Sequence, residues 1–205
     1  MVAESNSMDR DRELIRLIQG GAKDAFADLV ERYKDRALSI AYSFTGDYED
    51  AKNISQEAFL KAYLSIPKFR GGSSFYTWFY RILINTCKDH IRKKSGEGSI
   101  FSPPKGKEDE EGTAQDIFET ESDSNPNPQD ELLNKEMNEK ITRAINSLPA
   151  NQRIAFVLKH IHGMSIDEIS TITRCAPGTV KSRLYHAVMK LQVGLGSYYK
   201  KGEYK

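Results

Sequence analysis

SIDEISTITRCAPGTVKSRLYHAVMKL, residues 165–191, decides the fold. Ser165-Ile166-Asp167-Glu168 is a capping box, in which the serine hydroxyl and the glutamate carboxylate satisfy orphan amides at a helix start. Ile166, Ile169 and Ile172 follow at three-residue spacing and predict a short helix. A turn is expected at Thr173-Arg174-Cys175-Ala176. Pro177 suits the first turn of the next helix, where its missing N–H does no harm. Val180, Leu184, Ala187 and Leu191 give that helix a buried face. Lys181, Ser182, Tyr185 and His186 then face outward, with Arg183 on the flank. Two short helices joined by a tight turn, the second basic, make a helix-turn-helix. From Arg174 to Lys205 there are seven basic residues and one acidic. Such side chains donate to phosphates and to base edges in a major groove. An ordinary hairpin with a solvated basic face shares the periodicity; capping box, turn and charge together favour DNA binding.

Just upstream the chain is helical as well. Ile141, Ala144, Ile145 and Leu148 form a stripe ending at Pro149. Ala155, Phe156, Leu158 and Ile161 form another, ending at His162-Gly163. Before these, residues 95–130 differ in kind: 36 residues rich in Gly, Pro, Ser and acid. They bury too little apolar surface to offset ordering entropy and read as a flexible linker. A coil of that length spans about 33 Å end to end, close to one turn of DNA at ~34 Å. Two domains so joined can occupy separate sites on one duplex. A passive solvated spacer fits the same composition; Phe101, Ile117 and Phe118 are the exceptions able to dock on a partner.

Residues 9–94 read as helices. Phe26, Leu29, Val30 and Tyr33 make an i, i+3, i+4, i+7 stripe that Leu38, Ala41 and Phe44 extend, and Gly46-Asp47 breaks it. Ala51, Ile54, Ala58, Ala62 and Ile66 make a second stripe, which stops at Pro67. After Gly71-Gly72 a third helix runs from near Ser74 to about Lys94. No sustained β-branched alternation predicts a sheet. The expectation is an all-α chain: a helical domain at 9–94, a linker at 95–130 and a second helical domain at 131–195.

Composition bounds the function. The 205 residues suggest one or two small domains. The net charge of +1 hides segregation: +3 over 1–94, −8 over 95–130 and +6 over 131–205. An acidic block between two basic halves keeps nucleic acid in play as a partner. No apolar run reaches the roughly 18–20 residues of a membrane span. The first residues lack a signal-peptide core. Cys87 and Cys175 are far apart, so neither a disulfide framework nor a zinc cluster is indicated, and a reducing cytoplasm is the simplest setting.

KFRGGSSFYTWFYRILINTCKDHIRKK, residues 68–94, carries seven basic residues, one acidic and six aromatics. Phe79, Ile82 and Ile91 read as core. Phe75, Tyr76, Trp78, Phe79 and Tyr80 point around the whole helix circumference, so some of them are expected at the surface. Exposed rings such as Tyr76 and Trp78, near cations such as Arg92 and Lys93, suit single-stranded nucleic acid. Opening a duplex costs ~1.4 kcal/mol per base-pair step, and each stacked base returns ~1–3 kcal/mol. A few captured bases can hold open a few pairs. Asn85, beside the basic end, has an amide able to read a base edge. The helix over 49–66 presents Asp50, Asn53, Gln56, Glu57 and Lys61 beside Phe59 and Leu60. A solvated face is the default for it, and a polar surface with an apolar centre also fits a protein partner.

Four stretches in this order carry a resemblance: SQEAFLKAY (55–63), FYTWFYRILINTCKDHIRKK (75–94), LPANQRIAFVLKHIHGMSIDEIS (148–170) and GTVKSRLYHAVMKL (178–191). Over 9–94 and 131–195 the chain resembles an extracytoplasmic-function (ECF) sigma factor of the sigma-70 family, the small bacterial class of transcription initiation factor. The resemblance implies a sigma2-like bundle and a sigma4-like helix-turn-helix. It implies binding to the β′ clamp helices of core RNA polymerase through Asp50, Gln56, Glu57, Phe59 and Leu60, and binding to the β flap. It implies capture of non-template −10 bases around Tyr76, Trp78, Asn85, Arg92 and Lys93, with Asn85 where the family reads a flipped-out base. It implies −35 contacts from Lys181, Ser182, Arg183, Tyr185 and His186. His186 stands where relatives often carry arginine. An anti-sigma factor is an implied partner, promoter DNA another, and no cofactor or metal is implied.

Two other classes compete. For an enzyme, Gly71-Gly72 lacks the spacing and the Lys-Ser/Thr of a phosphate loop. His160 and His162 are two apart, read as helix-surface histidines, and have no partner to complete a metal set. The second alternative, a stand-alone regulator, has no need of the aromatic-basic segment; dependence on core polymerase discriminates it.

Overall fold

The computed structural model describes residues 2–94, 137 and 140–202, and among these the regular structure is helical throughout. The expected linker at 95–130 lies outside the described residues, as do Phe101, Ile117 and Phe118. α1 is Val2–Gln19, α2 Ala25–Thr45, α3 Tyr48–Ser65 and α4 Phe75–Lys94. α5 covers 140–146. α6 is Ala150–Phe156 and runs on into a π-helical turn, Val157–Ile161. α7 is Ile166–Thr173 and α8 Pro177–Gly202.

Local chemistry sets the breaks. Gly46 ends α2 at φ 65, a left-handed conformation that costs glycine nothing, and its N–H donates to Tyr42. Asp47 caps α3 by accepting from the Asp50 amide at 2.8 Å. Pro67 falls in the 3₁₀ turn Ile66–Lys68 that closes α3. Ser74 Oγ accepts from the Thr77 amide at 3.1 Å and opens α4.

The periodic stripes become the core. Ala51, Ile54, Ala58, Ala62 and Ile66 are all sealed, as are Leu29, Ala41 and Phe44. α1 adds Leu14, Ile15 and Ile18. It is held polar-side by buried Asp11, which accepts from the Tyr33 hydroxyl and from Arg32 Nε at 3.1 Å. Burial, then the bond to Asp11, pushes the Tyr33 phenol far above the usual tyrosine range. At the other end Gln19 Nε2 donates to the carbonyls of Ile66 and Phe69, both at 2.9 Å.

In the second unit both bonds of the capping box form: Glu168 N to Ser165 Oγ at 3.1 Å, Ser165 N to Glu168 Oε2 at 2.8 Å. Arg174 ends α7 in the left-handed region at φ 52. The turn is held by Ser170 Oγ, which donates to the Cys175 carbonyl at 2.7 Å. α8 buries Val180, Ala187 and Leu191 as its period requires. Ile141, the outermost residue of the expected α5 stripe, stays exposed; Leu148 at the far end is sealed.

The two units share one hydrophobic core. Ile154, Val157, Leu158, Met164, Ile169 and Ile172 are continuous with the core built by α1 to α4. α7 lies on α4, and the π turn lies on α2. Among the described residues, hydrogen bonds cross the seam from Arg81 Nη2 to the Thr171 carbonyl, from Arg36 Nη2 to the His162 carbonyl, and between Ser43 Oγ and His162 Nε2, each 3.2 Å. In this state of the chain, apolar surface left over on each unit is buried against the other.

Candidate nucleic-acid interface

α8 presents the surface its period predicts. With Val180, Ala187 and Leu191 inward, Lys181, Ser182, Tyr185 and His186 all lie exposed, Tyr185 at 63%. The Tyr185 and His186 rings meet edge to face at 5.5 Å, so a flat ring and a ring nitrogen sit side by side on the cationic face. Arg183 behaves differently. It is half-buried, and its Nη1 donates to Cys175 Sγ at 3.3 Å, toward the turn.

α4 is clasped on several sides. α2 and α3 cover one side, α7 another. Phe75, Phe79 and Tyr80 are sealed at 3%, 0% and 0% exposure. Tyr76 and Trp78 are half-buried. Of the five rings expected around the whole circumference, three are thus sealed and two are only partly open, because neighbouring elements lie where an isolated helix faces water. Trp78 leans on Phe69 at 4.9 Å and Phe75 at 5.7 Å. Tyr76 meets Tyr80 edge to face at 4.5 Å, and the Arg36 guanidinium lies 5.3 Å from its centroid. What remains for an unpaired base is the open part of those two rings. Asn85, Arg92 and Lys93 are exposed further along α4, with Arg92 3.4 Å from Asp89.

α3 carries the expected protein-facing group. Gln56, Glu57 and Leu60 are exposed, Leu60 at 58%. Leu64, one turn on, is 66% exposed and extends the apolar centre; its i+4 spacing from Leu60, outside the core stripe, was the signal for it. Asp50 is half-buried, its carboxylate 3.3 Å from His90 Nε2 on α4. Phe59 is a correction: at 8% exposure it stacks on Phe79 at 4.5 Å and supports this surface from beneath. The Lys61 ammonium, hydrogen-bonded to Glu57 at 2.7 Å, holds that carboxyl below the usual range. Lys61 also donates to Thr86 Oγ1 at 3.2 Å. The polar face of α3 is thereby wired to the stretch of α4 that carries Asn85.

His162, expected at the surface, sits in the seam between the units. Burial, then Arg36, pulls its imidazole down to about 4, so it is neutral at ordinary pH. His160 is exposed. Among the described residues no group of three or more His, Cys, Asp or Glu is placed to hold a metal ion. No described helix is long and apolar enough to cross a membrane.

Comparison with known proteins bears on both surfaces. Residues 29–97 match the family model for Sigma-70 region 2, and residues 138–191 that for Sigma-70, region 4. The chain is 35% identical over 185 residues to the RNA polymerase sigma-H factor of Pseudomonas aeruginosa, covering 88% of this chain and 91% of that one. It is 36% identical over 181 residues to the ECF RNA polymerase sigma-E factor of Escherichia coli, covering 86% and 90%. Among solved structures, CnrH in complex with the cytosolic domain of CnrY has the same fold, with a TM-score of 0.64 and 22% identity over 92% of this chain and 99% of that one. The sigma factor RpoE in complex with the anti-sigma factor NepR from Bartonella quintana matches at a TM-score of 0.57 and 23% identity, over 83% and 96%.

Proposed function

From the premise that this chain belongs to the extracytoplasmic-function class of the sigma-70 family, transcription initiation factors and not enzymes, we propose that it binds core RNA polymerase and directs it to promoters with separate −10 and −35 elements. α8 lies in the major groove of the −35 element, where Lys181 and Ser182 hold phosphates and Tyr185 and His186 meet base edges. The end of α4 takes the melted −10 strand: Asn85 reads a base, Arg92 and Lys93 hold the backbone, and the open parts of Tyr76 and Trp78 stack. Asp50, Gln56, Glu57 and Leu60 dock on the β′ clamp helices, with Leu64 widening the contact, and the second domain meets the β flap. The division is 9–94 for polymerase and −10, 95–130 for the linker and 131–195 for −35. An anti-sigma factor is a further partner and the cytoplasm the place of action.

One observation carries this reading: the row Lys181, Ser182, Tyr185 and His186 stays exposed on a helix whose opposite face is sealed, in a chain with a second, aromatic-basic helix. The test is reconstitution with core polymerase and run-off transcription. Promoter-specific transcripts that require both proteins are expected. Tight, specific binding to duplex promoters by the chain alone, with no polymerase-dependent transcript, overturns the reading in favour of a stand-alone regulator.

A further inference from the structure

We propose that Arg36, on α2 rather than on either basic helix, is a further contact for single-stranded DNA: its guanidinium holds the phosphate of a nucleotide whose base stacks on Tyr76. The assignment rests on the proposed capture of a melted strand and adds a cation to it.

The geometry of α4 leaves a gap at Tyr76. Trp78, Asn85 and Arg92 recur at seven-residue spacing and share one side of the helix. Tyr76 and Asn85 are nine residues apart, which is half a turn round the axis, so Tyr76 lies on another side. Tyr76 and Arg92 are sixteen residues apart, about 24 Å along the axis. A base on Tyr76 is therefore far from Arg92 and Lys93, and its phosphate needs a different cation.

Arg36 stands at that place. Its guanidinium lies 5.3 Å from the Tyr76 centroid and 5.9 Å from that of Tyr80. Arg36 is exposed, and the Tyr76 ring beside it is half-buried. A cation next to a ring is the pairing that holds a backbone while its base stacks, and a guanidinium plane adds stacking surface of its own.

Arg36 is also open to an anion. Arg10, Arg12, Arg32 and Arg92 lie 3.1 to 3.5 Å from a carboxylate. Among the described residues Arg36 has no such partner; its Nη2 donates to the His162 carbonyl at 3.2 Å. A carbonyl is a neutral acceptor, and a phosphate oxygen makes the stronger, charge-assisted bond. A guanidinium has five donors, so a phosphate can bind without breaking the bond to His162. The nearby acid, Glu168, is turned to its own cap, accepting from the Ser165 amide at 2.8 Å. An arginine that merely rivets α2 to α4 and to the second unit makes the same contacts, and salt dependence tells the two apart.

The full chain is titrated with a fluorescent, mixed-sequence, twelve-nucleotide single-stranded DNA over a range of salt. Each phosphate contact on a single strand contributes about 0.7 to the slope of log affinity against log salt. Arg36→Gln is expected to lower that slope by about 0.7, and the affinity about eightfold at about 0.05 M salt. Arg36→Lys keeps the charge and is expected to keep the slope. Tyr76→Ala is expected to lose affinity about tenfold with the slope unchanged, because a stack carries no charge. A lowered denaturation midpoint in Arg36→Gln with the wild-type slope is the signature of a rivet and overturns the assignment. If Arg36→Gln fails to fold, phenylglyoxal labelling of the wild type decides. The oligonucleotide is expected to slow modification of Arg36 several-fold; an unprotected Arg36, or a wild type with no affinity for the single strand, overturns the assignment. Promoter-specific transcription by the wild-type holoenzyme, with an unchanged slope in Arg36→Gln, overturns this inference alone. The expected loss of slope, without any polymerase-dependent transcript, overturns only the proposed function.

Discussion

α4 and α8 are both basic helices, yet they meet the rest of the protein in opposite ways. α8 gives one face to the core and keeps its cationic face free. α4 gives up part of its circumference to α2 and α3 and more to α7. On α8 the outward residues follow from the inward ones by period alone. On α4 they do not, because a second unit of the same chain covers surface that period alone assigns to water. The aromatic content of α4 is thus mainly architecture, with Tyr76 and Trp78 only partly open; the polar face of α8 is left clear of the core, and it is there that the proposed −35 contacts fall.

Substitutions sharpen that contrast. Phe79→Ala removes a fully sealed ring that contacts Tyr33, Phe59, Phe75 and Tyr80. It is expected to cost about 3–5 kcal/mol, read as a lowered denaturation midpoint. A near-wild-type midpoint would deny α4 its structural role.

His162 comes next. Its imidazole is pulled from 6.5 down to about 4 in the folded chain. Between those values the unfolded chain binds a proton that the folded chain refuses, so stability falls as pH drops from 6.5 toward 4. By about pH 5 the loss is on the order of 1–2 kcal/mol, discounted for partial exposure of the ring. His162→Gln is expected to flatten this slope in denaturant titrations; an unchanged slope places the titrating group elsewhere.

Ser165→Ala breaks the capping box and is expected to cost about 1 kcal/mol, with exchange rising in α7 before α4. Smallest in stability, and decisive for the comparison, are Lys181→Ala and Tyr185→Ala. Each should leave the midpoint within about 0.5 kcal/mol. Lys181→Ala should weaken −35-dependent promoter binding by the polymerase holoenzyme and reduce its salt slope by about 1. A large stability loss from either would make α8 resemble α4.

Much of this was legible in the residues. The Ala51 to Ile66 stripe, the Gly46-Asp47 break, the Ser165 capping box and Pro177 each act within a few residues of themselves, and each stands where period and cap chemistry put it. The misses are tertiary. Phe59 lies on the flank of its stripe, and only the arrival of Phe79 from α4 makes it core. His162 reads as surface because nothing local announces the unit it meets through Arg36 and Ser43, and Arg183, on the flank of its helix, folds back on Cys175 of the preceding turn. The extra packing of α1 was within reach: Leu14, Ile15 and Ile18 share one face. The π turn gave no periodic signal, since one extra residue per turn only blurs a stripe.

That turn has a consequence for length variation. At Val157–Ile161 the ladder widens, and the His162 amide reaches back five residues to the Val157 carbonyl at 3.1 Å. One residue is thus looped into the helix without breaking it. Deleting a single residue there takes out the looped residue and restores the ordinary ladder, with the segments on either side kept near their present register. The same deletion in the regular turns of α6 has no bulge to absorb it and swings everything downstream by about 100°. This short segment is therefore where the carboxy-terminal half tolerates a one-codon loss.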